Sequence, residues 1–264
     1  SMAEIFSRFI RLGNPKASIR FYDALRGQLP SHTSECDSYV ITGSPSSAYD
    51  SESWIQKLEG FIRNLHETKS PTVGICFGHQ VIAKALGGLV TKGPGWGIGV
   101  HSYKWSEDLK LSEYEWFSPA INSIKAVASH QDCVVNLPKG ATLLAGSQFC
   151  PNGMFAVDDH IWTIQTHPEL SKAFVKDLYN MRRSRFADDT YHDAIGSLSE
   201  SVDAPTISAW IAKHTQLHKD KRKKRRMVLN DDDGSRSMLC SIARGVSYAV
   251  FAALVFKQLL LVAN

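Results

Sequence analysis

The sequence has few cysteines and no long apolar run, and its first residues predict no secretory leader. Its five cysteines form no CxxC pair, which argues against a disulfide framework and a structural zinc site and favours a reducing, cytoplasmic setting. The longest apolar run, residues 245–256, is shorter than the ~20 residues that cross a bilayer. The opening Ser1-Met2 is typical of an expression remnant. These absences leave a globular protein.

Charge is unevenly distributed along the chain. Residues 1–217 carry 20 Lys and Arg against 22 Asp and Glu, whereas residues 218–264 carry 10 against 4. The body, residues 1–217, has no basic excess, so we expect no nucleic-acid binding through it. With 43% hydrophobic and 21% charged residues, the composition also excludes a disordered chain and a polytopic membrane protein.

Strand-like and helix-like segments alternate along the body, as an α/β fold requires. The predicted strands are residues 18–23, 38–42, 71–75, 100–105, 124–129, 141–145, 154–157 and 160–165. The predicted helices are residues 3–12, 54–66, 77–86, 171–183 and 206–214, and residues 184–205 are expected to be loop.

Cys76 lies where a buried strand turns into a helix. Gly74 and Gly78 flank it, and a sharp turn of this kind, a nucleophile elbow, needs small neighbours. The N-terminus of the helix favours a thiolate, and the backbone N–H of Phe77 is placed to stabilise an oxyanion. The alternative is that Cys76 is a small buried hydrophobic residue, as most free cysteines are.

A cysteine nucleophile needs a base, and His167 is the candidate. It follows a predicted strand 91 residues after Cys76, and ligands bind at the carboxyl edge of open α/β sheets. Glu169 can orient the imidazole and stabilise its charged form. Another strand runs into a small-residue loop at Gly43-Ser44, whose backbone N–H groups can face an oxyanion. An ordinary βα turn is the alternative for that loop.

Several ordered motifs resemble the class I, triad-type glutamine amidotransferase domain, closest to its stand-alone GMP-synthase-like branch. They lie at residues 41–45, 74–80 (GICFGHQ), 85–88, 95–101, 129–132 and 166–169 (THPE). The resemblance covers roughly residues 3–215 and implies a flavodoxin-like, open and mostly parallel sheet flanked by helices. Residues 1–217 are therefore predicted to be the amidotransferase-like domain.

The same resemblance implies a Cys–His–Glu triad. Cys76 would attack the side-chain amide carbon of glutamine, His167 would carry the proton, and Glu169 would orient His167. The implied oxyanion and substrate contacts are Gly43, Ser44, Phe77, Gln80, Ser129, His130 and Gln131. Because nucleophile, base and oxyanion donors are all protein groups, no metal and no cofactor is expected.

Members of this family usually open with a β-strand before the first helix. This chain opens at the segment that resembles that helix, so the first strand is expected to be missing. That strand normally lies inside the sheet, where its loss leaves backbone groups unpaired. Either the chain is a truncated form, or another segment fills the position, for which the apolar residues 247–256 are a candidate.

Residues 218–264 are predicted to be a basic linker followed by an apolar tail. Residues 218–226 hold seven Lys or Arg and one Asp. A solvated linker, a nuclear-localisation cluster and an anionic-lipid patch are the alternatives. The apolar part is expected to contact a membrane surface or another protein.

Three functions remain open from the sequence. The main prediction is a glutaminase or amidotransferase subunit whose ammonia passes to a separate synthase subunit. A γ-glutamyl peptidase or hydrolase would use the same residues on a γ-glutamyl compound, and the lack of a fused acceptor domain favours it. A catalytically idle scaffold is disfavoured by the intact Cys76, His167 and Glu169.

Overall fold

The computed structural model describes residues 1–117, 122–232 and 246–252. Its helices are α1 (Met2–Gly13), α2 (Ser53–Glu67), α3 (Phe77–Ala85), α4 (Lys172–Met181), α5 (Asp188–Ser197) and α6 (Ala204–Asp232). Its strands are β1 (Ser18–Asp23), β2 (Ser38–Ile41), β3 (Thr72–Ile75), β4 (Leu89–Trp105), β5 (Ser123–Asn136), β6 (Ala141–Gly146), β7 (Met154–Val157), β8 (Ile161–Ile164) and β9 (Ser247–Ala252).

All nine of these strands belong to one mixed sheet, in the order β1-β9-β2-β3-β8-β7-β6-β4-β5. The pairs from β1 to β8 are parallel, and those from β8 to β5 are antiparallel. If β9 takes the place of the family's first strand, the parallel part has the 2-1-3-4-5 order of flavodoxin. The predicted α/β, flavodoxin-like fold is confirmed, with an antiparallel half attached to the parallel one.

Strand β9 occupies the position in the sheet where the family's first strand was expected. It lies between β1 and β2 and is parallel to both, with Ala249 opposite Arg20 on one side and Tyr39 on the other. Phe251 packs against Tyr39 and Phe61, with ring centroids 6.1 and 5.5 Å apart. The prediction that the apolar C-terminal run completes the sheet is confirmed for Ser247–Ala252, and residues 253–256 lie outside the described residues.

Helices cover both faces of the sheet. Alternate residues of β2 point to opposite sides, so Val40 belongs to one apolar cluster and Tyr39 and Ile41 to the other. Helices α1 and α6 pack together on the first side, where a Cβ at Gly13 would overlap the carbonyl oxygen of Ser208. Helices α2 and α3 bury their apolar stripes on the second side. The sheet is therefore packed on both faces, which holds the carboxyl ends of its parallel strands in place.

The structure corrects three segments. Residues 184–205, expected as loop, contain α5, which buries little beyond Ala194 and so lacks a strong apolar pattern. Strands β4 and β5 are much longer than predicted, because a register shift between Lys92 and Gly97 accommodates the glycines and proline that are typical of a turn. Helix α6 continues to Asp232 instead of ending near residue 214.

The predicted boundary after residue 217 falls inside α6. Three basic side chains beyond it pair with the body: Lys219 and Arg222 with Asp37, and Lys221 with Asp159. The side chains of residues 225–232 and the whole of residues 233–245 and 253–264 lie outside the described residues. Within the described part of the chain, no helix is long and apolar enough to cross a membrane.

Candidate active site

Cys76 occupies a strained turn between β3 and α3. Its backbone has φ +53° and ψ −105°, a region that residues other than glycine rarely adopt. A Cβ at Gly74 would lie 2.7 Å from the carbonyl oxygen of Gly78, and one at Gly78 would overlap the carbonyl of Ile41. Both glycines are therefore required by close backbone contact. The turn places the sulfur at the N-terminus of α3, where the helix dipole stabilises negative charge.

His167 lies beside Cys76 and is oriented by Glu169. Its Nδ1 is 2.7 Å from Glu169 Oε1, and its backbone N–H donates to the carbonyl of Val127 at 2.7 Å. Burial opposes a positive charge on the imidazole, but the hydrogen-bonded Cys76 sulfur and the Glu169 carboxylate outweigh it and raise the pKa of His167 well above its usual value. This geometry favours an imidazolium next to the sulfur.

The loop after β2 is fitted closely around His167. A Cβ at Gly43 would stand 2.7 Å from Cε1 of the imidazole, so glycine is what leaves room for the histidine. Thr42, the preceding residue, donates to the carbonyl of Phe251 in β9 from both its backbone N–H, at 3.1 Å, and its Oγ1, at 2.7 Å. The C-terminal strand thus fixes the start of the loop that carries Ser44.

Most of the sequence-predicted residues share one cleft of about 180 Å³. The predicted residues that line it are Ser44, Cys76, Gln80, Ser129, His130 and Gln131. Gly43, His167 and Glu169 are not among the lining residues but connect to it through the contacts just described. The Phe77 ring packs on Trp54, 5.4 Å away, so only its backbone at the first turn of α3 is available for the predicted role.

Gln80 is committed to contacts within the protein. Its Nε2 donates to the backbone carbonyl of Asp132 at 2.9 Å and to Oε1 of Gln165 at 3.1 Å. The Nδ1 of His130 also lies 3.1 Å from that Asp132 carbonyl, which can only accept. Gln80 therefore ties α3 to β5 with its side-chain amide, and it also lines the cleft, so the substrate contact that the sequence implies for it stays a prediction.

Comparison with known proteins identifies the family. The model of the class-I glutamine amidotransferase family matches residues 5–176. Gamma-glutamyl peptidase 3 of Arabidopsis thaliana is 35% identical over 191 residues, which are 70% of this chain and 77% of that protein. The chain belongs to the class-I glutamine amidotransferase family.

Two further likenesses place this amidotransferase domain among larger relatives and solved folds. The glutamine-hydrolysing GMP synthase of Bacillus licheniformis is 27% identical over 224 residues, 83% of this chain and 37% of that protein. A glutamine amidotransferase of Thermotoga maritima, known by crystal structure, has a TM-score of 0.62 and 20% identity over 81% of this chain and 91% of its own. At that identity the second likeness shows the fold alone.

Gln165 is a polar residue beside Cys76 that was not predicted from the sequence. It follows β8 directly, is fully buried, and its Nε2 donates to Cys76 Sγ at 3.6 Å. A polar residue at the end of an apolar strand, two positions before His167, is the signal that could have revealed it, because buried amides need partners.

The cleft also holds residues that were not predicted as site residues, although Pro45, Trp96 and Asp132 lie within the recognised motifs. The lining residues not predicted from the sequence are Pro45, Ser46, Ser47, Trp96, Asp132, Arg182 and Arg185. The Asp132 carboxylate accepts from Ser47 Oγ at 2.6 Å and from the Tyr49 hydroxyl at 2.9 Å. The two arginines follow α4, where cations at a helix end usually indicate a solvated surface.

One group of possible metal ligands occurs among the described residues, and it lies away from the cleft. His66, Asp158 and His160 offer ligand atoms within 4.8 Å of one another, at the opposite end of β3 and β8 from Cys76. The Asp158 carboxylate is already paired with Lys69, 2.6 Å away. The residues around Cys76 instead bring a thiol, an imidazole and a carboxylate together.

Proposed function

We propose that this protein hydrolyses the side-chain amide of glutamine through a γ-glutamyl thioester on Cys76. The observation that carries the proposal is the arrangement of a cysteine in a strained elbow at a helix N-terminus, a histidine that favours its charged form beside it, and a glutamate 2.7 Å from that histidine. Such an arrangement activates a thiol for acyl transfer.

The reaction follows from the roles of the three side chains. The Cys76 thiolate attacks the amide carbon, and the negative charge on the tetrahedral oxygen is stabilised by the backbone N–H groups of Ser44 and Phe77. When the C–N bond breaks, the nitrogen leaves as ammonia with the proton of His167. The neutral imidazole then removes a proton from water, which attacks the thioester carbon and releases glutamate. Glu169 stabilises the imidazolium in both halves.

A γ-glutamyl peptidase activity is the second candidate, because it needs the same chemistry with an amine leaving in place of ammonia. The Arabidopsis relative is named as a gamma-glutamyl peptidase, and the Bacillus relative as a glutamine-hydrolysing synthase. The first name supports a γ-glutamyl peptide as substrate. The second supports glutamine, with the ammonia passing to a separate synthase subunit.

Glutamate release by the purified protein tests the proposal. We expect hydrolysis of glutamine or of γ-glutamyl dipeptides, and a loss of about 10⁴-fold or more in Cys76→Ala. Cys36→Ala is the matched control, since Cys36 is another buried free cysteine outside the cleft. Activity that survives in Cys76→Ala contradicts the proposed nucleophile. If the wild type is inactive and its Cys76 resists a γ-glutamyl electrophile, the chain is an idle scaffold.

A further inference from the structure

Two arginines at the cleft have no acidic partner among the described residues. Arg182 follows the last turn of α4, and Arg185 ends the short helical turn after it. Both line the cleft that contains Cys76. Arg182 is half-buried and Arg185 is exposed, so the pair extends from inside the cleft to its rim. Their guanidinium groups are thus available to an anion that enters the cleft.

Arg183, in the same turn, differs from Arg182 and Arg185 because its charge is neutralised within the protein. It forms an ion pair with Asp188, donates to the carbonyl of Phe186 at 3.1 Å, and lies 4.4 Å from the centre of the Tyr191 ring. Neither Arg182 nor Arg185 makes any of these three contacts in the structure. Among the three arginines of this turn, the two that reach the cleft are therefore the ones without an ion pair.

Leaving these two charges unpaired has an electrostatic cost. Burial, and then the nearby Arg185, lower the pKa of Arg182 from its ordinary value. The acidic side chain that lines the same cleft, Asp132, is hydrogen-bonded to Ser47 and Tyr49. A bound carboxylate would relieve the repulsion and accept bidentate hydrogen bonds from the planar guanidinium groups.

The charges of the two candidate substrates decide which carboxylate is involved. Glutamine is a zwitterion with one carboxylate and no net charge, whereas a γ-glutamyl peptide carries a second carboxylate on its leaving group. Because the glutamyl carbonyl must reach Cys76 inside the cleft, the leaving group extends towards the rim, where Arg185 is exposed.

Building on the second candidate function, we propose that Arg182 and Arg185 bind the carboxylate of the leaving group and make γ-glutamyl peptides the preferred substrates. The bond that breaks is the γ-glutamyl C–N bond. The departing amine takes its proton from His167, and the leaving-group carboxylate keeps its charge throughout. The arginines act in binding and take no part in proton transfer.

The test uses two substrates that differ only in this carboxylate, γ-glutamylglycine and γ-glutamylmethylamide, together with glutamine. We expect wild type to favour γ-glutamylglycine. In Arg182→Gln and Arg185→Gln, kcat/KM for γ-glutamylglycine should fall about ten- to a hundredfold, the usual range for charge-assisted hydrogen bonds. The values for the methylamide and for glutamine should stay within about twofold. Arg183→Gln, the control in the same turn, should leave all three unchanged.

Other outcomes overturn the inference. An equal loss for all three substrates would place the arginines on the glutamyl part, and a similar loss in Arg183→Gln would indicate a general effect of charge or folding. Binding to Cys76→Ala, measured by calorimetry, separates this inference from the proposed function because it needs no turnover. Tighter binding of γ-glutamylglycine than of the methylamide, lost in Cys76→Ala/Arg182→Gln, supports the inference even if turnover fails. Equal binding of the two compounds refutes it.

Discussion

The two ends of the parallel strands use histidine in opposite ways. At the carboxyl end, His167 faces a thiol and a carboxylate, and its pKa is raised well above the usual value despite burial. At the amino end, His214 and His218 point Nε2 at the backbone carbonyl of Asp159, 3.1 and 2.8 Å away. Burial lowers the pKa of both, and that of His160 to about 4. The partner, and not burial alone, decides whether a histidine is charged.

The sharpest contrast comes from removing one histidine at each end. His167→Gln should reduce kcat/KM by about 10³- to 10⁴-fold, because the proton carrier is lost, while the circular dichroism spectrum is retained. His66→Gln, at the amino end and half-buried, should leave kcat/KM within about twofold. The comparison fails if both variants lose activity to a similar degree in a steady-state assay.

Strand β9 runs from the amino end to the carboxyl end between β1 and β2, so shortening its buried Phe251 side chain should destabilise the sheet. Phe251→Ala removes ring contacts with Tyr22, Tyr39 and Phe61 and should lower the free energy of unfolding by about 3–5 kcal/mol. Leu12→Ala, at a residue that is 56% exposed, should cost under about 0.5 kcal/mol. If urea titrations give the same loss in the free energy of unfolding for both variants, β9 is not packed in the sheet.

The Glu169→Gln variant tests whether Glu169 stabilises the positive charge on His167 or only orients the imidazole ring. The amide keeps one hydrogen-bonding atom near Nδ1 but removes the carboxylate, so the pKa of His167 should fall towards its ordinary value. We expect kcat/KM to decrease by about 100-fold. A pH titration of the imidazole by NMR measures the shift. An unchanged pKa would mean that the carboxylate does not hold the charge.

Acid should destabilise the fold through buried neutral histidines, of which His160 is the example at the amino end. The folded pKa of His160 is about 4, below the unfolded value of ~6.5, so the unfolded chain binds more protons in this window. The free energy of unfolding should therefore decrease as the pH falls from 6.5 to 4, by about 2 kcal/mol at pH 5 from His160 alone. His167 has the opposite sign, since its contribution is lost only as the pH rises through its raised pKa.

Urea titrations at pH 7 and pH 5 measure the change, and His160→Gln should show a shallower dependence. An equally steep dependence in that variant would assign the effect to other groups.

The sequence allowed the local features of the site to be predicted and left out those that depend on distant contacts. The elbow at Cys76 could be predicted because its flanking glycines are adjacent in sequence, and the orienting role of Glu169 because it lies two residues from His167. Arg182 and Arg185 could not, since their importance depends on which face of a turn meets the cleft. A sequence shows no difference between them and Arg183, whose charge is neutralised by Asp188.

The same holds for the fold. Buried strands such as β3 have short apolar runs between turn signals and were predicted almost to the residue, whereas the polar helix α5 has no stripe to reveal it. The position of β9 could only be offered as an alternative, because pairing across such a sequence distance leaves no periodic trace. Both the expected absence of a first strand and the apolar run could be read from local sequence. That the run pairs between β1 and β2 depends on the tertiary structure.

The bond between Thr42 and Phe251 also concerns the order in which the molecule is made. It joins residues 209 positions apart, and it fixes the start of the loop that carries Ser44. During synthesis, Cys76, His167 and Glu169 all leave the ribosome before the strand that supports this loop. A nascent chain therefore carries the reactive groups without the means to use them. Contacts between residues so far apart in sequence form slowly, so we expect the loop to be fixed only after the C-terminal strand has been made and has paired.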